Sequence, residues 1–536
     1  MRRARHESSS SYPGRSVFLS HLGLGGAQAP PRERQKSAEA IVGRSILPKG
    51  RTQRNVRAHR TGKVREVAKE QQLSLGWDTY RASGEGEAQT APQEGRQTTA
   101  APTETGPGTR NLMEGAVDEA NLARALRRVM ANGGSPGVDG VTTKQLPEHL
   151  YRRWDQIRAA LLTGTYKPRP VRACDIPKPN GGTRTLGIPT ALDRLIQQML
   201  LQVLTPILEP TFSDSSYGYR PGRKATDAVR AARRFVEDGR QWVVDLDIEA
   251  FFDRVNHDKL MAKLARLVDD KRLLKLVRAY LNAGVMDRGV VVRRHEGTPQ
   301  GGPLSPLLAN LYLTELDREL ERRGHAFCRY ADDVYIYVGS EAAASRVLDS
   351  LAGWLDRRLH LTVNSQKSKA GRFNKTDILS FTLYGGGDGP VKVRVSTKAI
   401  KRAKGKIKRL TRRNKGVAIE KMVTDLSTYL RGWIGYFAYA DTPSVFRDLD
   451  SWIRRRLRCR IWKSWKRSRT RLRELRARGL TGTAPYAAYS RKGYWHIAGS
   501  VTLQHALPNS FFAEQGLVNL HQRYLELVTL RTAGCV

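Results

Sequence analysis

The segment RYADDVYIYV at residues 329–338 places two adjacent acids at the start of an apolar run. Tyr and Val alternate after the acids, which predicts a β-strand, and the polar pair before them predicts a turn. Two unit charges about 4 Å apart repel by roughly 4 kcal/mol at an effective dielectric near 20, so Asp332 and Asp333 need a cation or a raised pKa. An isolated Asp-Asp pair is more often a solvated hairpin turn, whereas a third carboxylate in a similar setting favours a metal site.

A second apolar run that ends in acids lies upstream, in the segment WVVDLDIEAFFD at residues 242–253. A strand carrying Asp247 beside the hairpin of Asp332 and Asp333 would gather three carboxylates at one edge of a sheet. Mg²⁺ prefers oxygen ligands and commonly binds one or two carboxylates together with substrate phosphates. Two such ions about 3.5–4 Å apart stabilise both the attacking and the leaving oxygen of an in-line phosphoryl displacement. The pattern therefore predicts nucleotidyl transfer.

The charge of the chain indicates a polyanionic partner. The 536 residues include 93 Lys and Arg against 51 Asp and Glu, a formal net charge of +42. Such an excess predicts nucleic-acid binding that weakens steeply with salt. No apolar run is long enough for a membrane-spanning helix, so we expect no membrane partner. The four cysteines are far apart and contain no Cys-x-x-Cys pair, which predicts neither a zinc site nor a disulfide framework and fits a reducing compartment.

The first 110 residues are rich in Arg, Ser, Gly, Pro, Gln and Thr and have few periodic apolar positions. This composition predicts a disordered basic extension. Its basic, acid-poor start also has the composition of an organellar targeting peptide, but no clear amphipathic helix accompanies it. We therefore expect a cytoplasmic, bacterial-type, nucleoid-associated protein. An RNA-binding tail and a translated segment without function remain alternatives for the extension.

Several residues outside the acidic segments are candidates for nucleotide contacts. Lys178 and Arg184 flank the Gly-Gly tip of a predicted hairpin, where each is either directed at phosphates or a solvated charge. Phe252 follows the acidic segment closely, and its ring lies either against the sugar of a nucleotide or in the core. Gln300, in a glycine-rich loop, offers donors and acceptors to a base or a sugar.

Two regions combine aromatic and basic residues in the way that nucleic-acid surfaces do. The loop FSDSSYGYRPGR at residues 212–223 is either a template-binding loop or an ordinary one. Beyond a glycine break at residues 385–387, basic helices alternate aromatic side chains with Arg and Lys. The candidates for RNA binding in the two regions are Arg220, Arg223, Arg431, Trp433, Arg454, Arg455, Arg456, Lys463 and Lys466.

These stretches, taken in order, resemble the group II intron-encoded reverse transcriptase/maturase family. The resemblance covers roughly residues 111 to 536. A Tyr-x-Asp-Asp tetrapeptide is a weak signal, but an ordered set of motifs is specific. The set comprises GSPGVDG at 134–140, GIP at 187–189, SYGYRPG at 216–222, the Asp247 segment at 242–253, TPQG at 298–301, YADD at 330–333, LRGWIGYF at 430–437 and WIRRRL at 452–457.

The resemblance implies an α+β right-hand polymerase fold followed by an all-helical thumb. The implied domains are fingers with an N-terminal extension at 111–240, a palm with an antiparallel sheet at 241–385, a thumb/maturase domain at 386–480, and a C-terminal nucleic-acid-binding segment at 481–536. No residues with the ligand pattern of a His-Asn-His endonuclease follow. The family often has Gly where this chain has Ser380, which puts a close primer contact in question.

The resemblance also assigns roles to individual residues. Asp247, Asp332 and Asp333 would bind two Mg²⁺ ions, with the carbonyl of Ile248 as a further ligand. The residues that would contact the incoming dNTP are Arg184, Gln300, Phe252 as the sugar gate, and Lys178, whose alignment at the hairpin is ambiguous.

The function implied is that of an RNA-dependent DNA polymerase which binds its group II intron RNA, assists its splicing and copies it into DNA. Its partners would be the intron RNA, the DNA target and primer, and dNTPs. The alternatives are a lone bacterial reverse transcriptase in phage defence or repair, and a non-catalytic RNA-splicing chaperone. The sequence predicts no oligomeric state.

Overall fold

The computed structural model describes residues 108–177, 183–287, 290–292, 296–298, 301–386, 389–412, 414 and 416–533. The expected disordered extension therefore lies outside the described residues, apart from the turn at 108–110. The described helices are α1 Leu112–Val117, α2 Glu119–Asn132, α3 Leu146–Leu162, α4 Ala191–Leu208, α5 Ala225–Glu237, α6 Phe251–Arg254, α7 His257–Ala265, α8 Lys271–Asn282, α9 Ser305–Arg322, α10 Glu341–Leu359, α11 Thr397–Leu410, α12 Ile419–Phe437, α13 Pro443–Ser464, α14 Ser468–Ala477, α15 Tyr494–Ile497, α16 Val501–Ala506, α17 Asn509–Glu514 and α18 Leu520–Thr532.

The strands form three separate sheets. The described strands are β1 Val171–Pro177, β2 Thr183–Ile188, β3 Trp242–Asp247, β4 Val285–Asp287, β5 Val290–Val292, β6 Ala326–Tyr330, β7 Asp333–Val338, β8 Lys369–Arg372, β9 Asp377–Ile378, β10 Phe381–Gly385 and β11 Val391–Val395. Their orders are β2-β1-β4-β5, β6-β7-β3-β8 and β11-β10-β9. The strand pairs are antiparallel except for β1 with β4. The expectation of a mixed helical and antiparallel-sheet fold is confirmed.

The chain forms two compact units. Unit 1 contains the described part of Met1–Phe212 together with Tyr219–Gly222 and Ala250–Thr314. Unit 2 contains Ser213–Gly218, Arg223–Glu249 and Glu315–Val536 as far as it is described.

Unit 1 packs its helices around a buried carboxylate. The helix α4 begins where the hydroxyl of Thr190 accepts a hydrogen bond from the amide of Asp193, an N-cap of the kind that Thr favours. The Asp193 carboxylate is itself buried and accepts hydrogen bonds from the hydroxyls of Tyr166 and Tyr280, at 2.9 and 3.2 Å. These bonds link α4 to α8 and to the segment before β1, so a polar group helps to fix the core.

Unit 2 is built on the sheet β6-β7-β3-β8. In β7 every residue after Asp333 is buried, which differs from the expected alternation of buried and exposed positions. Helix α5 packs on β6 and α10 packs on β3 and β8, so neither face of the central strands is left open. A strand covered on both faces has apolar residues throughout.

The run ILSFTLY at residues 378–384, which the sequence predicts as one strand, is a hairpin. Asp377–Ile378 pairs antiparallel with the start of Phe381–Gly385, and Leu379 with Ser380 forms the two-residue turn. Both turn residues have positive φ, 48° and 71°. Such φ values belong to type I′ hairpin turns, which usually contain Asn and Gly. The strand prediction was wrong here because neither residue has the sequence signature of that turn.

The part of unit 2 after β11 is helical. Apolar residues of α12 and α13 form a core that includes Leu426, Leu430, Phe446 and Ile453. The last helix, α18, is fixed to α13 by the buried carboxylate of Asp450, which accepts hydrogen bonds from the first two amides of α18, both at 2.9 Å. No helix among the described residues is both long enough and apolar enough to cross a membrane.

Candidate active site

The two acidic segments of the sequence meet at one end of the β6-β7-β3-β8 sheet. Tyr330 and Asp333 are paired residues of the β6–β7 hairpin, and Ala331 with Asp332 forms its two-residue turn. On the other side of β7, Asp333 lies directly opposite Asp247, the last residue of β3. The register therefore brings Asp247 and Asp333 into opposition and places Asp332 next to them.

A lysine that is not among the sequence-predicted site residues provides a counter-charge to these acids. The ammonium of Lys367 lies 3.0 Å from Oδ2 and 3.4 Å from Oδ1 of Asp247. The turn that carries it is attached to Asp247 by the backbone: Asn364 donates its amide to the Asp247 carbonyl, and the Asp247 amide donates to the hydroxyl of Ser368. The signal for this residue is a basic side chain just before β8, the strand that pairs with β3.

A fourth carboxylate belongs to the same group. Asp245 precedes Asp247 by two residues, so both side chains lie on the same face of β3. Burial raises the pKa of Asp245 to about 6, with Lys369 opposing the shift and Asp247 adding to it. Asp245 is not among the sequence-predicted site residues, although its spacing of two from Asp247 is the signal for a shared face.

The pKa of Asp333 is raised to about 7. Desolvation by the surrounding protein is the largest cause, although the side chain keeps a solvent-exposed edge. The charges of Asp332, Asp245 and Asp247 add to the shift, while Lys367 opposes it. Carboxylates that repel one another in this way favour the binding of a cation.

The donor chemistry of these acids fits a hard divalent cation, since Mg²⁺ prefers carboxylate oxygens. Within the described part of the chain, however, no three His, Cys, Asp or Glu side chains form a ready-made metal-binding group. Lys367 supplies a positive charge at Asp247. A metal ion bound by Asp247 would have to displace the Lys367 ammonium from that carboxylate.

The structure describes two of the four predicted dNTP contacts, Arg184 and Phe252, together with the predicted metal ligand Ile248. Arg184 is half-buried on β2, opposite Ile176 of β1, in unit 1. Phe252 is also in unit 1, where its ring is buried and packs edge-on against Phe251 with centroids 5.2 Å apart. Ile248 is buried in unit 2 and forms an isolated bridge with residue 363. Lys178 and Gln300 lie outside the described residues.

The arginines of the loop at residues 212–223 are engaged within the protein. Arg220 is 3% exposed, its Nε lies 2.7 Å from Oε1 of Glu209, and its guanidinium lies over the ring of Phe212. Arg223 pairs with Asp214 at 2.6 Å. This places Arg220 in the interior rather than on a nucleic-acid surface, because its charge is balanced by a neighbouring carboxylate.

The predicted RNA contacts on the C-terminal helices divide into surface and core. Arg431 and Lys466 are exposed, whereas Arg454, Arg455, Arg456 and Lys463 are half-buried. Trp433 is 9% exposed and packs against the rings of Phe437 and Phe446. The structure thus places Trp433 in the hydrophobic core, since it lies on the face of α12 that packs inward.

Four exposed aromatic residues without a sequence-predicted role lie between residues 486 and 495 of the C-terminal segment, and this group is called the aromatic cluster. Its members are Tyr486, Tyr489, Tyr494 and Trp495. The rings of Tyr486 and Tyr489 stack with centroids 6.4 Å apart. The guanidinium of Arg455 lies 4.5 Å from the Trp495 ring centroid, a cation–π arrangement that joins Trp495 to α13.

Family comparisons agree with this organisation. Residues 176–384 match the family described as reverse transcriptase (RNA-dependent DNA polymerase), and residues 400–479 match the group II intron, maturase-specific domain. The acids at the end of β3 and in the β6–β7 hairpin all lie within the first match, so unit 2 carries part of a reverse transcriptase domain. The chain belongs to the group II intron-encoded reverse transcriptase/maturase family, as the resemblance implied.

Individual relatives match over different lengths. The chain is 35% identical to "Protein YkfC" of Escherichia coli over 294 residues, which are 47% of this chain and 77% of that protein. It is 41% identical to the group II intron-encoded protein LtrA of Lactococcus lactis over 164 residues, 30% of this chain but only 27% of LtrA. A telomerase structure from Candida albicans aligns with 58% of this chain and 62% of its own at 14% identity and a TM-score of 0.33, a likeness too distant to support an argument.

Proposed function

We propose that this protein is an RNA-directed DNA polymerase that binds a group II intron RNA, assists its splicing and copies it during intron mobility. The observation that carries the proposal is the register of β3 with β7, which sets Asp247 opposite Asp333 in a chain that also matches the maturase-specific domain. A reverse transcriptase domain joined to a maturase domain supports both parts of this activity.

In this proposal the sheet of unit 2 is the palm of a right-hand polymerase fold. Asp247, Asp332 and Asp333, with the Ile248 carbonyl, would hold two Mg²⁺ ions. Bound there, the ions would supply the charge that activates a primer 3′-hydroxyl and stabilises the departing pyrophosphate. Arg184, Phe252, Gln300 and Lys178 remain the proposed dNTP contacts, with the ring of Phe252 excluding a 2′-hydroxyl.

Intron RNA, DNA target and primer would bind by charge and stacking. The net charge of +42 supplies the salt-dependent part of the affinity. The half-buried arginines of α13 and the exposed Arg431 and Lys466 would contact phosphates. The aromatic cluster of the C-terminal segment, with Trp495 beneath Arg455, supports the proposal that residues 481–536 bind nucleic acid, because exposed rings beside arginines stack on bases.

Primer extension on poly(rA)/oligo(dT) tests the catalytic part of the proposal. We expect the wild-type protein to extend the primer with Mg²⁺, and Asp332→Asn to abolish extension while retaining its affinity for the intron RNA. Extension by Asp332→Asn at a near-normal rate would refute the metal assignment. A wild-type protein that binds RNA but never extends the primer would instead be a splicing chaperone.

Splicing of the adjacent intron, assayed with and without protein, tests the maturase part. We expect the protein to accelerate splicing and expect neutralisation of Arg454, Arg455 and Arg456 together to reduce both RNA affinity and splicing. Unchanged splicing alongside normal primer extension would favour a reverse transcriptase with a role in defence or repair. A cytoplasmic location remains part of the proposal.

A further inference from the structure

We propose that the buried ion pair between Arg329 and Asp317 is a positioning device that holds the Ala331–Asp332 turn in the conformation needed by the catalytic acids. This inference rests on the proposed polymerase function, because its purpose is to orient Asp332 and Asp333. Neither residue of the pair is one of the proposed metal-binding acids or dNTP contacts.

The pair is fully enclosed. Both side chains are 0% exposed, Nε of Arg329 lies 2.7 Å from Oδ1 of Asp317, and Nη2 lies 2.6 Å from Oδ2. Two parallel bonds of this kind fix the plane of the guanidinium. A buried ion pair is often no more stabilising than apolar residues of similar volume. Stability alone therefore does not explain why Arg329 and Asp317 occupy these positions.

The third donor of Arg329 supplies that reason. Nη1 donates a hydrogen bond of 2.9 Å to the carbonyl oxygen of Ala331, the first residue of the hairpin turn. Ala331 has a φ of 60°, a left-handed conformation that is unfavourable for a residue with a Cβ atom. Such strain persists only where the surroundings hold the backbone in place. The carboxylate of Asp317 fixes the guanidinium, and the guanidinium fixes the strained peptide.

The opposite side of the turn is held by the segment Ser215–Gly218. The amide of Arg329 donates to the Ser215 carbonyl, and the amide of Tyr217 donates to the Arg329 carbonyl, both at 2.8 Å. Gly218 then passes so close that a Cβ atom on it would lie 2.3 Å from the backbone nitrogen of Ala331. The turn is therefore confined between a guanidinium and a closely packed backbone.

The next two residues after Ala331 are the catalytic candidates. A change in the Ala331 dihedral angles rotates the following peptide, which moves Asp332 directly and shifts Asp333 from its position opposite Asp247. Because metal sites tolerate displacements of only about 0.5 Å, loss of the clamp should weaken cation binding even where the fold survives.

The test is the double variant Arg329→Met/Asp317→Leu, which removes both charges and retains apolar volume. We expect amide hydrogen exchange at residues 331–334 to accelerate about tenfold or more, since a hydrogen bond from a charged donor is lost. We expect Mn²⁺ affinity, measured by electron paramagnetic resonance, to fall by a similar factor, and kcat for primer extension to fall more than KM changes for dNTP. The melting temperature should stay close to that of the wild type.

Adding Ala331→Gly to the double variant provides a rescue. Glycine adopts positive φ without a Cβ penalty, so slow exchange and Mn²⁺ affinity should be partly restored. If the double variant does not fold, Arg329→Lys replaces it. An ammonium retains the charge opposite Asp317 but cannot donate to both Asp317 oxygens and to the Ala331 carbonyl in the geometry of the guanidinium. Arg458→Met is the control, since Arg458 is also buried but bonds to the Leu507 carbonyl in the helical region.

Wild-type exchange at residues 331–334 together with wild-type Mn²⁺ affinity in the double variant would overturn the proposal. Equal losses in Arg458→Met, or no recovery with Ala331→Gly, would also overturn it, because the effect would then be general destabilisation. A wild-type protein that neither binds Mn²⁺ nor extends a primer would refute the polymerase function, while the exchange at residues 331–334 would still report on the clamp.

Discussion

Asp247 and Asp333 lie directly opposite each other on neighbouring antiparallel strands, so two acids occupy a position where like charges destabilise a sheet. The arrangement raises the pKa of Asp333 to about 7, through desolvation and the charges of Asp332, Asp245 and Asp247. Repulsion between these carboxylates lowers the stability of the fold when no cation is bound. The pH dependence of the unfolding free energy should therefore show the titration of Asp333.

In the metal-free protein, Asp333 should contribute a loss of stability as pH rises from about 4 to about 7. Across that window the Asp333 carboxyl binds more protons in the folded state than in the unfolded state, because its pKa is about 7 when folded and about 4 when unfolded. The contribution is fully present below about pH 4 and lost above about pH 7. Asp333→Asn should flatten this dependence, as measured by urea unfolding in EDTA at a series of pH values. Identical slopes for variant and wild type would contradict the pKa assignment.

Lys367→Met should have opposite effects on metal affinity and on metal-free stability. The ammonium lies 3.0 Å from Asp247 and is partly exposed, so the pair contributes at most about 1 kcal/mol. Without the Lys367 ammonium, Mn²⁺ would no longer compete with a positive charge already at Asp247, so the affinity of the protein for Mn²⁺ should rise about two- to fivefold. The melting temperature in EDTA should fall slightly. Lys375→Met, at a lysine beyond β8 outside the acidic group, serves as the control, and equal changes in both variants would argue against a specific role.

Ser380→Gly should stabilise the protein by about 1 kcal/mol. Ser380 has a φ of 71°, which glycine adopts without the steric cost that a Cβ atom carries. Ser396→Gly is the matched control, because Ser396 has a φ of −63° and caps α11 by accepting a hydrogen bond from the Ala399 amide. The control should be neutral or slightly destabilised, and chemical denaturation of both variants gives the comparison. A destabilised Ser380→Gly would mean that its hydroxyl bond to Arg402 outweighs the backbone strain.

Trp433→Ala and Trp495→Ala should affect different properties. Trp433 lies in the core, so its truncation should cost about 3–5 kcal/mol of folding free energy. Trp495 is exposed beneath Arg455, so its truncation should leave the melting temperature nearly unchanged and weaken RNA binding by about 1–3 kcal/mol. Thermal melting and filter binding measure the two effects. If Trp495→Ala bound RNA as tightly as the wild type, the aromatic cluster would not be part of the RNA-binding surface.

The sequence was sufficient for the features that depend on neighbouring residues. The Tyr and Val residues after Asp333 and the β-branched run before Asp247 predicted two strands with carboxylates at their termini, because these residue types favour strands. The expected alternation of buried and exposed positions after Asp333 was wrong, since every later residue of β7 is buried. The order of motifs predicted the family. The positive charge indicated nucleic acid, since charge is a sum over the chain and does not depend on its fold.

Only the tertiary structure showed which distant groups meet. Lys367 is separated from Asp247 by 120 positions, and no local pattern connects them. Whether a Trp is core or surface depends on which face of its helix is covered, and so Trp433, a sequence-predicted RNA contact, lies in the core, whereas Trp495, which had no predicted role, is exposed. The positive φ of Ala331 is likewise imposed by contacts with Arg329 and Gly218, and by Asp317 through Arg329. Alanine itself disfavours this conformation, so the local sequence predicts a different backbone angle from the one that the tertiary contacts impose.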